Sequence, residues 1–155
     1  MNDSVTVQMA APVERVWALV SDVTRTGEFS PETLDAEWLG GATGPVEGAR
    51  FRGHVKRNGR GPMYWTECVV DTCVPEREFT FTVMAGGQRV NTWSYLLEPR
   101  NGGTEVTESF ALKDSPFTRI YWMAFGRWRR QTNIDNMRTT LERIRDVVEN
   151  EEVQA

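Results

Sequence analysis

The sequence predicts an α+β domain in which a bent, seven-stranded antiparallel sheet is wrapped around one long C-terminal helix. Three observations carry this prediction. Ser115 to Asn150 reads as a single amphipathic helix, seven earlier segments alternate as strands do, and two brief helical segments follow the first strand. A lone helix laid across a strongly bent sheet cannot fill the space beneath it, so this architecture tends to enclose a cavity. A container is therefore the first function to consider.

The first strand is read over Asp3 to Ala10, where Val5, Val7 and Met9 alternate with polar neighbours. A helix follows at once, because Pro12 suits a first turn and Val13, Val16, Trp17 and Val20 recur at helical spacing before Asp22. Thr24 to Ser30 reads as a second short helix, stopped by Pro31. Strand two is Thr33 to Leu39, and the glycine-rich Gly40 to Gly48 reads as a flexible entrance loop. Strand three, Ala49 to Arg57, sorts Phe51, Gly53 and Val55 from Arg52, His54 and Lys56. A turn at Asn58 to Pro62 leads to strand four, Met63 to Val74, which Pro75 ends. Phe79, Phe81 and Val83 mark strand five, Gln88 to Glu98 is strand six after the Gly86-Gly87 turn, and Thr104 to Leu112 is strand seven after Asn101 to Gly103.

In the last helix Phe117, Ile120, Tyr121, Ala124 and Trp128 follow helical spacing, and Ile134, Met137, Leu141, Ile144 and Val148 continue it. Gln131 falls on the seam, where a cavity-facing amide, a satisfied core glutamine and a slightly rotated helix all fit. Ile120 to Phe125 is apolar almost all round and is expected to cover something apolar on more than one side. The chain is assigned one domain over residues 1–150, with 151–155 expected to fray as an acidic tail.

Composition bounds the function. With 155 residues, 39% hydrophobic and 26% charged, the chain can bury one core but hardly two. No run reaches the length of a membrane span and Met1 to Ser4 lacks the features of a signal peptide, so a cytoplasmic location is expected. A net charge of -4 gives no global attraction to nucleic acid or to an anionic membrane. Cys68 and Cys73 match no metal or redox spacing and are expected to be buried, reduced thiols on opposite faces of a strand.

Several segments carry a family resemblance: Ala11-Pro12-Val13-Glu14-Arg15-Val16-Trp17 with Ser21-Asp22-Val23, Phe29-Ser30-Pro31, Gly48-Ala49-Arg50-Phe51, Trp93-Ser94-Tyr95, and Gly103-Thr104-Glu105-Val106-Thr107-Glu108. With the order of elements, they resemble the START/Bet v 1-like (SRPBCC) superfamily, of the polyketide cyclase/dehydrase and lipid-transport type, and look like its small actinobacterial-type stand-alone members. The resemblance implies a helix-grip fold with a cavity between helix and sheet. It implies no ligand and supplies no catalytic set, since members of this fold bind hydrophobic ligands, cyclise polyketides, or do neither demonstrably.

Little in the sequence points to catalysis. His54 is the only histidine, which removes multi-histidine metal sites, and alternation sets it on the solvent face beside Arg52 and Lys56, away from any Ser-His-Asp arrangement. No cofactor is expected, since Gly40, Gly41 and Gly44 form no phosphate-cradling pattern. The remaining chemical candidate is Glu108, on the strand face of Val106, Phe110 and Leu112. Burial there would raise its pKa and suit it to general acid or base work, whereas pairing with an arginine such as Arg127 or Arg130, or a place at the cavity rim, is the plainer alternative. Tyr64, Trp65, Trp93, Ser94 and Tyr95 are the other candidate partners and walls. Either face of strand six can line the cavity, and the aromatic face of Trp93 and Tyr95 is taken over that of Thr92, Ser94 and Leu96.

The expected function is binding or transport of a small hydrophobic ligand, lipid or polyketide-like. The lining is taken as Phe51, Val55, Phe79, Phe81, Trp93, Tyr95, Val106, Phe110, Ala124, Trp128 and Gln131, with Glu108 as polar anchor. The alternative is a cyclase, aromatase or dehydratase in the same cavity, with Glu108 moving protons; a third is an interaction module whose aromatics fill the interior. Ile120 to Arg130 invites two further expectations, transient membrane contact through Arg127-Trp128-Arg129-Arg130 and a homodimer contact through Trp122 or Phe125. Nucleic acid is not expected, and a solvated turn with arginines paired to local carboxylates accounts for the basic run equally simply.

Overall fold

The computed structural model describes residues 2–56 and 62–154. Alternation of apolar and polar residues gives β1 (Asn2–Met9), and α1 (Val13–Val20) follows with Pro12 at its N-cap. The second helical segment is a 3₁₀ helix over Val23–Glu28, shorter and tighter than the expected Thr24 to Ser30. Asp22 caps it by accepting from the Thr24 amide at 3.0 Å. Gly27 passes close under β2 (Thr33–Leu39), where a Cβ would stand 2.1 Å from the Leu34 carbonyl oxygen. Then come β3 (Arg50–Val55), β4 (Tyr64–Val74), β5 (Glu78–Ala85), β6 (Gln88–Arg100), β7 (Gly103–Leu112) and α2 (Pro116–Gln154). The turn expected at Asn58 to Pro62 falls, apart from Pro62, outside the described residues.

The strands form one antiparallel sheet in the order β1-β7-β6-β5-β4-β3-β2. Two-residue turns set two of its hairpins, Gly86-Gly87 between Ala85 and Gln88 and Asn101-Gly102 between Arg100 and Gly103. All four turn residues have positive φ, as type I′ geometry demands. Register shifts at Thr33/Asp35, Val70/Thr72 and Val83/Met84 bend the sheet. The shift in β4 overturns one expectation. Cys68 pairs with Val83 and Cys73 with Phe79, so the extra residue brings both cysteines to the concave face instead of opposite faces. Both thiols are free, Cys68 buried and Cys73 half-buried.

The second half of α2 docks along β1. Arg130 Nε donates to Asp3 Oδ1 at 2.9 Å, and the Ala10 amide donates to Glu149 Oε1 at 3.0 Å. Between these ties Met137, Leu141, Ile144 and Val148 are fully buried against Met9, Val16, Leu19 and Val106. The helix continues beyond the expected end at Asn150 to Gln154, and Arg25 donates to Glu151 Oε1 at 2.6 Å. Residues 151–154 are thus helical.

The first half of α2 runs out beyond the β1 end of the sheet, since Arg130 already sits beside Asp3. Phe117, Ile120, Phe125 and Trp128 are exposed there, and Met123 is 85% exposed. Ile120 to Phe125 therefore does not cover apolar surface on several sides as expected; Tyr121 and Trp122 alone in that run turn partly inward. Among the described residues no helix is long and apolar enough to cross a membrane.

Candidate functional site

Between α2, the 3₁₀ helix and the concave face of the sheet lies a cavity of about 470 Å³. Its walls follow from strand alternation. Phe51, Gly53 and Val55 of β3, Tyr64, Thr66 and Cys68 of β4, Phe79, Phe81 and Val83 of β5, Asn91, Trp93 and Tyr95 of β6, and Glu108, Phe110 and Leu112 of β7 all point the same way. The aromatic rings pack against one another as they line it. Phe51 and Phe81 meet edge-on at 5.2 Å between centroids, Trp93 and Phe110 lie tilted at 4.8 Å, and Phe79 is backed by Trp17 at 6.4 Å.

Glu108 is 3% exposed and accepts a hydrogen bond from the Tyr95 hydroxyl, at 3.1 Å to Oε1. Register explains the pair, since Tyr95 and Glu108 stand directly opposite on β6 and β7. Glu108 Oε2 is buried without a partner among the described residues. Burial pushes the Glu108 carboxyl up to about 8, with the phenol donation pulling weakly the other way. Burial, and then the neighbouring carboxylate, raise the Tyr95 phenol well above its ordinary value. The carboxyl is therefore held mostly protonated at neutral pH.

The arginines expected as partners do not reach this carboxyl: Arg130 bonds Asp3, and Arg127 is exposed. His54 lies on the convex face, stacked on Trp65 at 4.4 Å with Nδ1 3.6 Å from Asp35 Oδ1, while the Arg52 guanidinium covers the same Trp65 ring at 4.2 Å. Trp65 and Ser94 likewise face away from the cavity, Ser94 Oγ accepting from Thr80 on the convex side. Among the described residues no group of His, Cys, Asp and Glu is placed to hold a metal ion.

Eight of the twelve expected binding residues line the cavity: Phe51, Val55, Phe79, Phe81, Trp93, Tyr95, Glu108 and Phe110. Val106 does not. It is fully buried one step further along β7, where α1 and α2 close onto the sheet and leave solid core. Ala124, Trp128 and Gln131 do not either; all three are exposed, and Gln131 Nε2 donates to Asp135 at 2.9 Å. At about 100° per residue, the apolar stripe from Phe117 to Trp128 lies almost opposite the stripe from Met137 to Val148 on one continuous helix. The second stripe packs on the sheet, while of the first Phe117 and Tyr121 border the cavity.

The residues of α2 that do face the cavity include Thr118, Trp122, Arg129, Asn133, Asn136 and Thr140. Asn133 is buried, and Asn136 Nδ2 donates to Glu32 Oε1 at 3.3 Å. Trp122 lies along Gly126, where a Cβ would come within 2.7 Å of the indole. Trp122 Nε1 and Asn91 Oδ1 are buried without partners among the described residues. Sequence reasoning missed these polar positions because it followed apolar periodicity. Extending the buried face of Met137 back by one turn reaches Asn133, and extending the face of Tyr95 and Trp93 by one alternation reaches Asn91.

The family model described as polyketide cyclase / dehydrase and lipid transport matches residues 3–149. The chain belongs to this family. Among solved structures, this family member is similar to the polyketide cyclase-like protein Cgl2372 from Corynebacterium glutamicum, at 33% identity over 97% of this chain and 92% of that one, with a TM-score of 0.66. A START superfamily protein from Mycobacterium smegmatis shares 14% identity, covers 96% of this chain and 97% of that one, and superposes with a TM-score of 0.72. The di-domain aromatase/cyclase StfQ of the steffimycin biosynthetic pathway shares 12% identity over 97% of this chain and 51% of that one, with a TM-score of 0.76. The last two likenesses concern the fold alone. No curated protein matches the sequence.

Proposed function

We propose that this polyketide cyclase/dehydrase and lipid-transport family member binds or carries a small, largely apolar molecule in the cavity beneath α2, acting in the cytoplasm. The observation that carries this reading is the cavity itself: about 470 Å³, walled by aromatic rings around one buried carboxyl-phenol pair. That volume lies in the range of drug-sized ligand sites, which combine apolar walls with a few placed polar groups. Removing apolar ligand surface from water supplies about 25 cal/mol per Å² before ordering costs. Glu108 and Tyr95 supply orientation at one end. The test is native mass spectrometry after incubation with a total lipid extract; a retained small molecule is expected, and recovery of bare protein from every extract refutes the proposal.

One observation favours a second reading, catalysis of a polyketide-type cyclisation or dehydration. A buried carboxyl whose value is raised to about 8, with one oxygen unpartnered among the described residues, is suited to general acid work, and a shaped cavity accelerates ring closure by positioning alone. Glu108→Gln separates the two. Loss of product from a candidate poly-β-ketone with retained binding supports catalysis, and unchanged turnover removes Glu108 from that role.

A further inference from the structure

The first turns of α2 carry an apolar stripe that no other described element covers. Phe117, Ile120, Met123, Phe125 and Trp128 are each more than half exposed. At about 100° per residue, Phe117, Ile120, Ala124 and Trp128 fall within one arc of about 80°, with Met123 and Phe125 on its two flanks; at 1.5 Å per residue the stripe is about 17 Å long. Large apolar side chains gathered in this way mark a contact surface, whereas scattered ones need no explanation.

Charge is sorted in the same place. Ser115 to Ile134 holds no aspartate or glutamate in twenty residues, although the chain has 22 acidic residues and a net charge of -4. The segment carries Arg119, Arg127, Arg129 and Arg130. Arg119 pairs with Asp114 and Arg130 with Asp3, whereas Arg127 and Arg129 are in no ion pair among the described residues. Arg127 follows Met123 by one turn on the flank of the stripe, where its aliphatic stem can lie along apolar matter while the guanidinium stays in water.

This combination selects among occupants. A second copy docked about a two-fold axis would set two acid-free, arginine-bearing segments against each other, and like charges across an interface oppose association. Nucleic acid would meet the arginines but gain nothing from Ile120, Met123 and Ala124, which offer no ring for a base to stack on. An anionic bilayer uses both features: the stripe enters the boundary between headgroups and acyl chains, and the arginines meet the lipid phosphates. The same turns of α2 border the cavity through Phe117, Thr118, Tyr121 and Trp122, so a helix lying in the bilayer surface holds the cavity against the membrane.

We propose that the first half of α2 is an in-plane docking element for an anionic membrane surface, with Ile120, Met123 and Trp128 entering the lipid and Arg127 and Arg129 at the headgroups. The proposal deepens the ligand-binding reading by naming where an apolar ligand is collected or delivered.

Flotation of the full chain with lipid vesicles tests it. The wild type is expected to float with phosphatidylcholine vesicles containing one-third phosphatidylglycerol, to bind phosphatidylcholine alone at least about 10-fold more weakly, and to detach progressively as salt is added. Ile120→Ser combined with Met123→Ser is expected to weaken binding to the anionic vesicles at least about 10-fold, and Arg127→Gln about 5-fold. Both variants should keep the thermal midpoint of the wild type, since the altered side chains are exposed. A wild type that floats with neither vesicle, or equally with both, overturns the proposal without any variant. A wild-type dimer in sedimentation velocity that the serine variant converts to monomer, with no vesicle binding, overturns it and assigns the stripe to a second copy. Flotation needs no cavity ligand, so these failures leave the ligand-binding reading to its own test by ligand retention.

Discussion

Glu108→Gln should change how stability depends on pH. The carboxyl titrates near 8 in the folded protein against an ordinary value of 4.5, because burial opposes its charged form. Between these values the folded protein keeps a proton that the unfolded chain has already released, so stability falls as pH rises through that window. Below it both states are protonated and above it both are ionised, so the contribution is flat on either side. The slope is about 1.4 kcal/mol per pH unit, reaching about 5 kcal/mol across the whole window. Glutamine has nearly the same shape, can accept from the Tyr95 hydroxyl, and carries no charge to desolvate. Urea denaturation of both proteins at intervals from pH 5 to pH 9 gives the comparison. All other ionisable groups are common to the two, so the difference in unfolding free energy isolates Glu108. The variant should gain on the wild type by about 3 kcal/mol between pH 5 and pH 7, and the gain should level off near pH 8. A difference that stays flat across this range refutes the burial argument. A difference of opposite sign means that the carboxylate is ionised and paired in the folded protein.

Further outcomes follow from the same packing. Tyr95→Phe removes the donor to Glu108 Oε1, so it should cost about 1–3 kcal/mol and move the levelling-off point to higher pH, since the phenol donation now holds that value down; a shift to lower pH in the same denaturation series contradicts this. Phe79→Ala deletes a fully buried ring packed on Trp17 and Phe81, and the loss should be about 3–5 kcal/mol by equilibrium unfolding. A cost below about 1 kcal/mol means that the ring is not part of a closed core. Cys68 has its thiol pushed up to about 12 by burial, so in the folded protein a disulfide reagent should label Cys73 first and reach Cys68 only on unfolding. Mass mapping of the labelled peptides reads this directly, and fast labelling at Cys68 in native buffer counts against a closed cavity.

Local chemistry was enough to place the strands, because turn residues and two-residue alternation act between neighbours in the chain. Val5, Val7 and Met9, the glycines at 86 and 87, and Asn101-Gly102 each impose their geometry without help from distant parts of the molecule. The same alternation brought Phe51, Phe79, Phe81, Trp93 and Tyr95 to one face and singled out Glu108 as the carboxyl among them. It failed where pairing intervened. The bulge in β4 flips the side on which Cys73 emerges, and that bulge exists only in the pairing with β5.

The sequence by itself determined the element order, the sheet as a meander and most of the aromatic wall. Tertiary structure decided three further things: which stripe of α2 faces inward, that Glu108 meets Tyr95 and no arginine, and that Asn91 and Trp122 are left with unpaired atoms in the same cavity. A periodic helix carries more than one apolar face, and only the sheet edge against which it docks, through Asp3 and Ala10, selects between them. Likewise a carboxyl acquires its partner and its proton affinity from strand register and from the water that folding excludes, neither of which is written at any single position.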